Sequence, residues 1–169
     1  MKQSKNVKTN AARLLDKAHI EYELIEYPVD ENDLSAPHIA ESIGEDINMV
    51  FKTIVLKGER KGHFVCVVPG NSEIDLKKAA KAMGDKKADL IAMKDLLPLT
   101  GYIRGGCSPV GMKKPLPTFY HSSVVDFDKI YVSAGMRGLQ FKISPSALIE
   151  YTEGNVIDLI DTQDIQTTA

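Results

Sequence analysis

Hydrophobic positions at Val7, Ala11, Leu14, Leu15 and Ala18 recur at helical spacing over residues 7–18, with Arg13, Asp16 and Lys17 on the opposite side. Residues 20–27 change to alternation, which predicts a strand ended by Pro28, a residue with no N–H for a ladder. An acidic turn over residues 30–33 follows. Ser35 then reads as an N-cap, Pro37 as a first-turn proline, and Gly44 as the stop of a short helix over residues 38–43.

The densest β signal is Val50-Phe51-Lys52-Thr53-Ile54-Val55-Leu56. Alternation places Phe51, Thr53 and Val55 on one face and Lys52, Ile54 and Leu56 on the other. Lys52 thus shares a face with two aliphatic side chains, so its ammonium must reach water, a carboxylate or an anionic ligand. A polar turn over residues 58–62 leads to a second strand over residues 63–68, which predicts a hairpin. Asp75 caps a helix over residues 76–83 that Gly84 stops.

Further on, residues 88–93 read as a strand and residues 94–97 as one helical turn before Pro98. Four glycines, a proline and a serine between Thr100 and Gly111 mark an irregular loop. Residues 117–121 and 129–133 read as strands around a capped turn at 122–128, and residues 134–138 as a tight glycine turn feeding a strand at 139–143. Ser144 and Pro145 open a last helix, residues 156–160 close as a strand, and residues 162–169 are a polar tail. Many strands separated by short helices predict one α+β domain with a mixed, strongly curved, partly closed, barrel-like sheet flanked by short helices.

Composition narrows the functional classes. At 169 residues the chain is expected to be a single domain. No apolar run approaches a membrane span and no secretory leader precedes the first helix, so a cytoplasmic protein is expected. Two cysteines, Cys66 and Cys107, make no disulfide framework, and with four histidines fit no zinc spacing. The formal net charge of −2 argues against bulk electrostatic capture of nucleic acid but leaves room for local patches, such as Lys77, Lys78, Lys81, Lys86 and Lys87, or Arg104, Lys113 and Lys114.

Three elements could carry chemistry: the Lys52 strand, the Gly105-Gly106-Cys107-Ser108-Pro109 loop, and Ser133 with the glycines after it. Glycine-rich loops expose N–H groups suited to an oxyanion, a carbonyl or a phosphate, yet neither loop matches a complete phosphate-binding fingerprint. Cys107 is a candidate nucleophile, although no base can be assigned to it from sequence.

Four stretches occur together in order: Phe-Lys-Thr-Ile-Val at 51–55, Asp-Leu-Lys-Lys-Ala-Ala-Lys-Ala-Met-Gly at 75–84, Thr-Gly-Tyr-Ile-Arg-Gly-Gly-Cys-Ser-Pro-Val-Gly at 100–111, and Tyr-Val-Ser-Ala-Gly-Met-Arg-Gly-Leu at 131–139. In this combination the chain closely resembles the YbaK/EbsC family of free-standing Cys-tRNA(Pro) deacylases, relatives of the editing domain of bacterial prolyl-tRNA synthetases. The resemblance spans about residues 9–160. It implies trans-editing removal of cysteine from tRNA(Pro) and tRNA(Cys) without metal or organic cofactor, with prolyl-tRNA synthetase as partner in a ternary complex. It places the family's essential lysine on Lys52, a backbone-lined pocket on Gly105 and Gly106 with Ser108 beside them, a strand-end serine on Ser133, and a pocket aromatic on Tyr27. Thr53 and Gly135, which flank these positions, are expected to contact substrate as well. Two positions depart from the family pattern. Gln140 stands where an acidic residue is frequent, and Cys107 where an aliphatic one is common, which weakens the nucleophile idea.

The family's proposed chemistry is substrate-assisted: the cysteinyl thiolate attacks its own ester, and the enzyme supplies orientation and charge stabilisation. Alternatives are clearance of Ala-tRNA(Pro) by water attack, a Cys107-dependent hydrolase, and a non-catalytic module that docks on tRNA or a synthetase.

Overall fold

Short side chains at four helix starts set the boundaries of the helical elements. In a computed structural model that describes residues 8–161, Thr9, Ser35, Asp75 and Ser144 each accept a hydrogen bond from a first-turn N–H. They open α1 (Asn10–Lys17), α2 (Ala36–Ile43), α3 (Leu76–Met83) and α5 (Pro145–Thr152). Gly44 and Gly84 end α2 and α3 in the left-handed region, at φ 70° and 75°. α4 (Met93–Thr100) differs from the sequence expectation, because it continues through Pro98. Proline there removes one N–H late in a two-turn helix. The Thr100 hydroxyl donates to the Leu96 carbonyl at 2.7 Å and Gly101 N–H to the Leu97 carbonyl at 2.8 Å, which hold the last turn. Helices of eight residues are marginal alone, so their stability comes from packing on the sheets.

The strands are β1 (Tyr22–Glu26), β2 (Phe51–Gly58), β3 (Gly62–Pro69), β4 (Ala88–Leu90), β5 (Thr118–His121), β6 (Ile130–Met136), β7 (Leu139–Ile143) and β8 (Asn155–Ile157). The predicted β2–β3 hairpin is present, in register from Phe51 opposite Pro69 to Gly58 opposite Gly62. The strand expected at 88–93 is shorter, as is the last strand. The expected glycine turn at 134–138 contracts to Arg137 and Gly138: β6 runs on to Met136 through a bulge after Ser133, with Gly135 at φ 105°. Val7 and the polar tail at 162–169 lie outside the described residues.

The strands form two open sheets in place of the single, partly closed sheet expected from sequence. One is antiparallel, in the order β1-β7-β6; the other is mixed, in the order β4-β2-β3-β5-β8. Their backbones meet at a parallel bridge, Val50 with Tyr131. Joining them into one sheet would require β6 to pair along β2 beyond this bridge, and closing that sheet would further require its outer strands, β1 and β8, to meet. Neither pairing occurs among the described residues, and β6 leaves β2 after the bridge.

Both faces of the β2–β3 hairpin are covered, which explains the unbroken apolar run of β3. Phe51, Val55, Val65 and Val67 pack with Ala11, Ala12 and Leu15 of α1 and with Val132, Phe141 and Ile143 of the antiparallel sheet. Leu56, Phe64, Cys66 and Val68 pack with Ala79 and Ala80 of α3 and with Leu159 and Ile160. Cys66 is a core residue as expected, and burial pushes its thiol up to about 12.

Candidate active site

The edge of β2 organises the site. β3 occupies one edge throughout, and Gly70 N–H continues this edge to the Val50 carbonyl at 2.8 Å. The second edge is shared: β4 covers it at Leu56, Lys57 and Gly58, and β6 touches it at Val50. Between these contacts β2 has no strand partner among the described residues, and a cleft of about 610 Å³ opens along Phe51, Lys52, Thr53, Ile54 and Val55. Ser133 and Gln140, opposite each other on β6 and β7, form one wall. Arg104, Gly105 and Cys107 of the glycine loop form another, and Leu90, Ile91 and Met93 line the side of β4 and α4.

The ionisable side chains lining the cleft, besides Cys107, are Lys52, Glu73 and Arg104; none of the lining residues is a histidine. Cys107 is buried, and desolvation pushes its thiol up to about 12 against an opposing hydrogen bond from Thr100. It is therefore a neutral thiol at pH 7, with no imidazole in the cleft to deprotonate it. Two of the residues lining the cleft, Thr53 and Gln140, each carry a buried side-chain oxygen, Oγ1 and Oε1, with no hydrogen-bond partner. Buried polar atoms are normally paired, so two unpaired ones on residues of one cleft single out this part of the molecule.

Of the residues singled out from sequence, the fold brings Lys52, Thr53, Gly105 and Ser133 into the cleft. The Ser133 hydroxyl accepts Gly135 N–H at 3.1 Å. Gly106, Ser108, Gly135 and Tyr27 do not line it. Gly106 donates its N–H to the Ile103 carbonyl at 2.9 Å. A Cβ at Gly106 would lie 3.1 Å from main-chain atoms of Met136 and Arg137, so this glycine lets the loop press against the β6–β7 turn. Arg137 Nε donates to the Arg104 carbonyl at 2.8 Å and holds the same contact. Ser108 is fully buried and accepts Val110 N–H, which makes it a turn residue. Gly135 faces Tyr102 and Ala11 in the core. Tyr27 packs with Ile39, Val50 and Tyr131, behind the cleft wall formed by α2. Glu73 was not identified from sequence; it sits between the Pro69-Gly70 break and the Asp75 cap, where no local pattern distinguishes it from a loop carboxylate.

Residues 31–151 match the model of the aminoacyl-tRNA editing domain, and the chain belongs to that family. Its similarity to one curated relative covers nearly all of both chains: it is 45% identical over 152 residues to the Enterococcus faecalis protein named "Putative Cys-tRNA(Pro)/Cys-tRNA(Cys) deacylase EbsC", spanning 90% of this chain and 93% of that one. It is also 28% identical over 99 residues to the proline–tRNA ligase of Thermosipho melanesiensis, a match that covers 59% of this chain and 17% of the ligase. Among solved structures, "a putative trans-editing enzyme for prolyl tRNA synthetase" superposes with a TM-score of 0.78 at 25% identity, covering 92% of this chain and 99% of that chain. The hypothetical protein APE2540 shares the fold, with a TM-score of 0.80 at 19% identity over 88% of this chain and 97% of its own. Among the described residues, no helix is long and apolar enough to cross a membrane.

Proposed function

We propose that this chain is a trans-editing deacylase that removes cysteine from Cys-tRNA(Pro) and Cys-tRNA(Cys) with the substrate's own thiol as nucleophile. One observation carries the reading. The cleft combines a lysine with polar, partly unsatisfied walls, its cysteine is held neutral with no histidine among the lining residues to activate it, and Glu73 is its one carboxylate. A site built this way can orient and stabilise charge but supplies no activated thiol of its own. A cysteinyl ester brings one.

In this mechanism the substrate thiolate attacks the ester carbonyl carbon and a C–S bond forms. The bond to the ribose oxygen then breaks, and the proton lost by the thiol ends on that oxygen. The thiolactone that departs is opened by water to cysteine. Holding the thiolate in near-attack geometry replaces an encounter with a unimolecular step. Lys52 holds the leaving ribose oxygen or the terminal phosphate as a cation, and Arg104 at the cleft supplies a second positive charge for the phosphates. Alanyl and prolyl esters carry no thiol, so chemistry rather than pocket size excludes them. With a net charge of −2, affinity for tRNA alone is weak and salt-sensitive, and prolyl-tRNA synthetase supplies tRNA selection in a ternary complex.

The test is deacylation of Cys-tRNA(Pro), Ala-tRNA(Pro) and Ser-tRNA by the wild type and by Lys52→Ala. Loss of the cysteinyl ester alone, abolished in Lys52→Ala, is expected. Turnover of the alanyl ester would move the protein to water-based editing. Full activity of Lys52→Ala would remove the lysine from the mechanism.

A further inference from the structure

A second cluster of charged groups lies outside the cleft, where β5 ends. His121 is 4% exposed and pairs with Ile157 of β8 in the parallel ladder. Its Nδ1 accepts the Leu159 N–H at 3.1 Å. A ring nitrogen that accepts a hydrogen bond carries no proton, so the imidazole is neutral with its proton on Nε2. Three charged side chains bear on it. Asp158 Oδ1 lies 3.6 Å from the same Nδ1, Lys78 of α3 donates to Asp158 Oδ2 and to the Ile160 carbonyl at 2.8 Å each, and Asp126 acts from the turn after β5.

The segment that His121 holds lies behind one wall of the cleft. The Leu159 carbonyl accepts Asp75 N–H at 2.8 Å, Ile160 forms an antiparallel bridge with Ile74, and Asp161 donates its N–H to the Glu73 carbonyl at 3.1 Å. Glu73 and Ile74 line the cleft, and Asp75 caps α3. These ties are consecutive, so the placement of residues 73–75 depends on where Leu159 sits. Leu159 is fully buried, and no solvent would replace a bond lost by its N–H.

Protonation of Nδ1 sets two donors against each other, and the bond to Leu159 is lost. The new N–H can instead donate to Asp158 Oδ1, already 3.6 Å away. The ring thus has alternative partners in adjoining residues. We propose that His121 is a positioning residue for the cleft: in its neutral form it fixes Glu73 and Ile74 through Leu159, and in its protonated form it exchanges Leu159 for Asp158 and releases that wall. Burial holds the imidazole pKa below its ordinary value, with the carboxylates of Asp158 and Asp126 opposing and the ammonium of Lys78 assisting. The wall is therefore held at neutral pH and given up only as pH falls below about 6.5. His121 does not line the cleft, so its effect falls on how the wall meets substrate and not on the reacting atoms. The enzymatic test of this inference rests on the deacylase reading above; the structural test does not.

The experiment measures kcat and KM for Cys-tRNA(Pro) from pH 8 to pH 5 in the wild type and in His121→Asn, whose amide oxygen can take the Leu159 N–H but no proton. Ionisation of the substrate thiol affects both proteins alike, so the ratio between them isolates His121. KM of the wild type relative to the variant is expected to rise about tenfold across the range, with the kcat ratio within about twofold. A constant KM ratio, or a change confined to kcat, would overturn the proposal. Amide hydrogen exchange followed by NMR over the same range reads the wall directly. In the wild type, Leu159, Asp75 and Asp161 should lose protection about tenfold beyond the amides of the β6–β7 ladder. Equal changes in all of these amides would reduce His121 to global stability and overturn its positioning role. This comparison needs only the wild type, so it decides the question even where His121→Asn does not fold. Selective loss of protection in a protein that does not turn over Cys-tRNA(Pro) would remove the deacylase reading and still support the coupling of His121 to the wall.

Discussion

Gly106→Ala tests whether the glycine loop is held in place by contact with the β6–β7 turn. The new methyl group would lie 3.1 Å from Met136 Cα, Met136 C and Arg137 N, well inside ordinary carbon contact. All three obstacles are main-chain atoms, so no rotamer change relieves them. The turn itself is pinned by the β6 bulge and by β7 pairing. Overpacking of this kind costs about 1–3 kcal/mol. A domain of this size loses about 2–4 °C per kcal/mol, so the midpoint should fall by about 2–12 °C. Relief must come from movement of the loop, which displaces Gly105 and Cys107 from the cleft wall. Deacylation should therefore fall by an order of magnitude or more at temperatures where the variant is still folded. Gly84→Ala is the control. Its Cβ meets nothing within 4 Å, but its φ of 75° costs about 1–2 kcal/mol in the left-handed region. It should lower the midpoint without reducing kcat/KM. A Gly106→Ala protein with unchanged midpoint and activity would refute the reasoning.

Three further outcomes are expected. Cys107→Ala should retain kcat/KM within a few-fold, because a neutral buried thiol takes no part; a loss beyond a hundredfold in single-turnover assays would restore Cys107 as nucleophile. Thr53→Val removes a buried hydroxyl without a partner, and should raise the thermal midpoint by about 2–4 °C, corresponding to about 1 kcal/mol; a lowered midpoint would mean that the hydroxyl is paired. His121 is buried with its Nδ1 accepting Leu159 N–H, and burial lowers its pKa against the opposing charge of Asp158. The unfolded chain therefore binds a proton that the native state refuses as pH drops below about 6.5, and stability should fall across that window. His121→Asn should flatten the dependence in midpoints measured from pH 8 to pH 5, and an equally steep curve would contradict the assignment.

Local chemistry made much of the fold legible. Ser35, Asp75 and Ser144 cap helices where their spacing predicts, and the apolar run at 63–68 pairs with the Lys52 strand. Pro98 misled because its effect depends on how much helix follows it, and Thr100 and Gly101 supply enough bonds to carry two residues more. The glycines at 135 and 138 look alike in sequence, yet one serves a bulge facing the core and the other a hairpin turn. The candidate site divides the same way. Lys52, Gly105 and Ser133 were legible as residue types in context, whereas Gln140 entered only as a departure from a family pattern and Glu73 carried no signal. What makes these two part of a site is the place where β6 leaves β2, and that divergence is set by long-range packing between sheets.

Because β1 pairs with β7, with Tyr22 opposite Ile143, the antiparallel sheet joins strands from nearly opposite ends of the described chain. The cleft needs β2 from the first half and Ser133 and Gln140 from the second. A nascent chain still on the ribosome can form the β2–β3 hairpin early, but it has no cleft wall until β6 and β7 emerge. Contacts so distant in sequence also form late during folding. The cleft is thus complete only once β7 has been made, and a fragment that stops short of Gln140 lacks the wall that β6 and β7 supply.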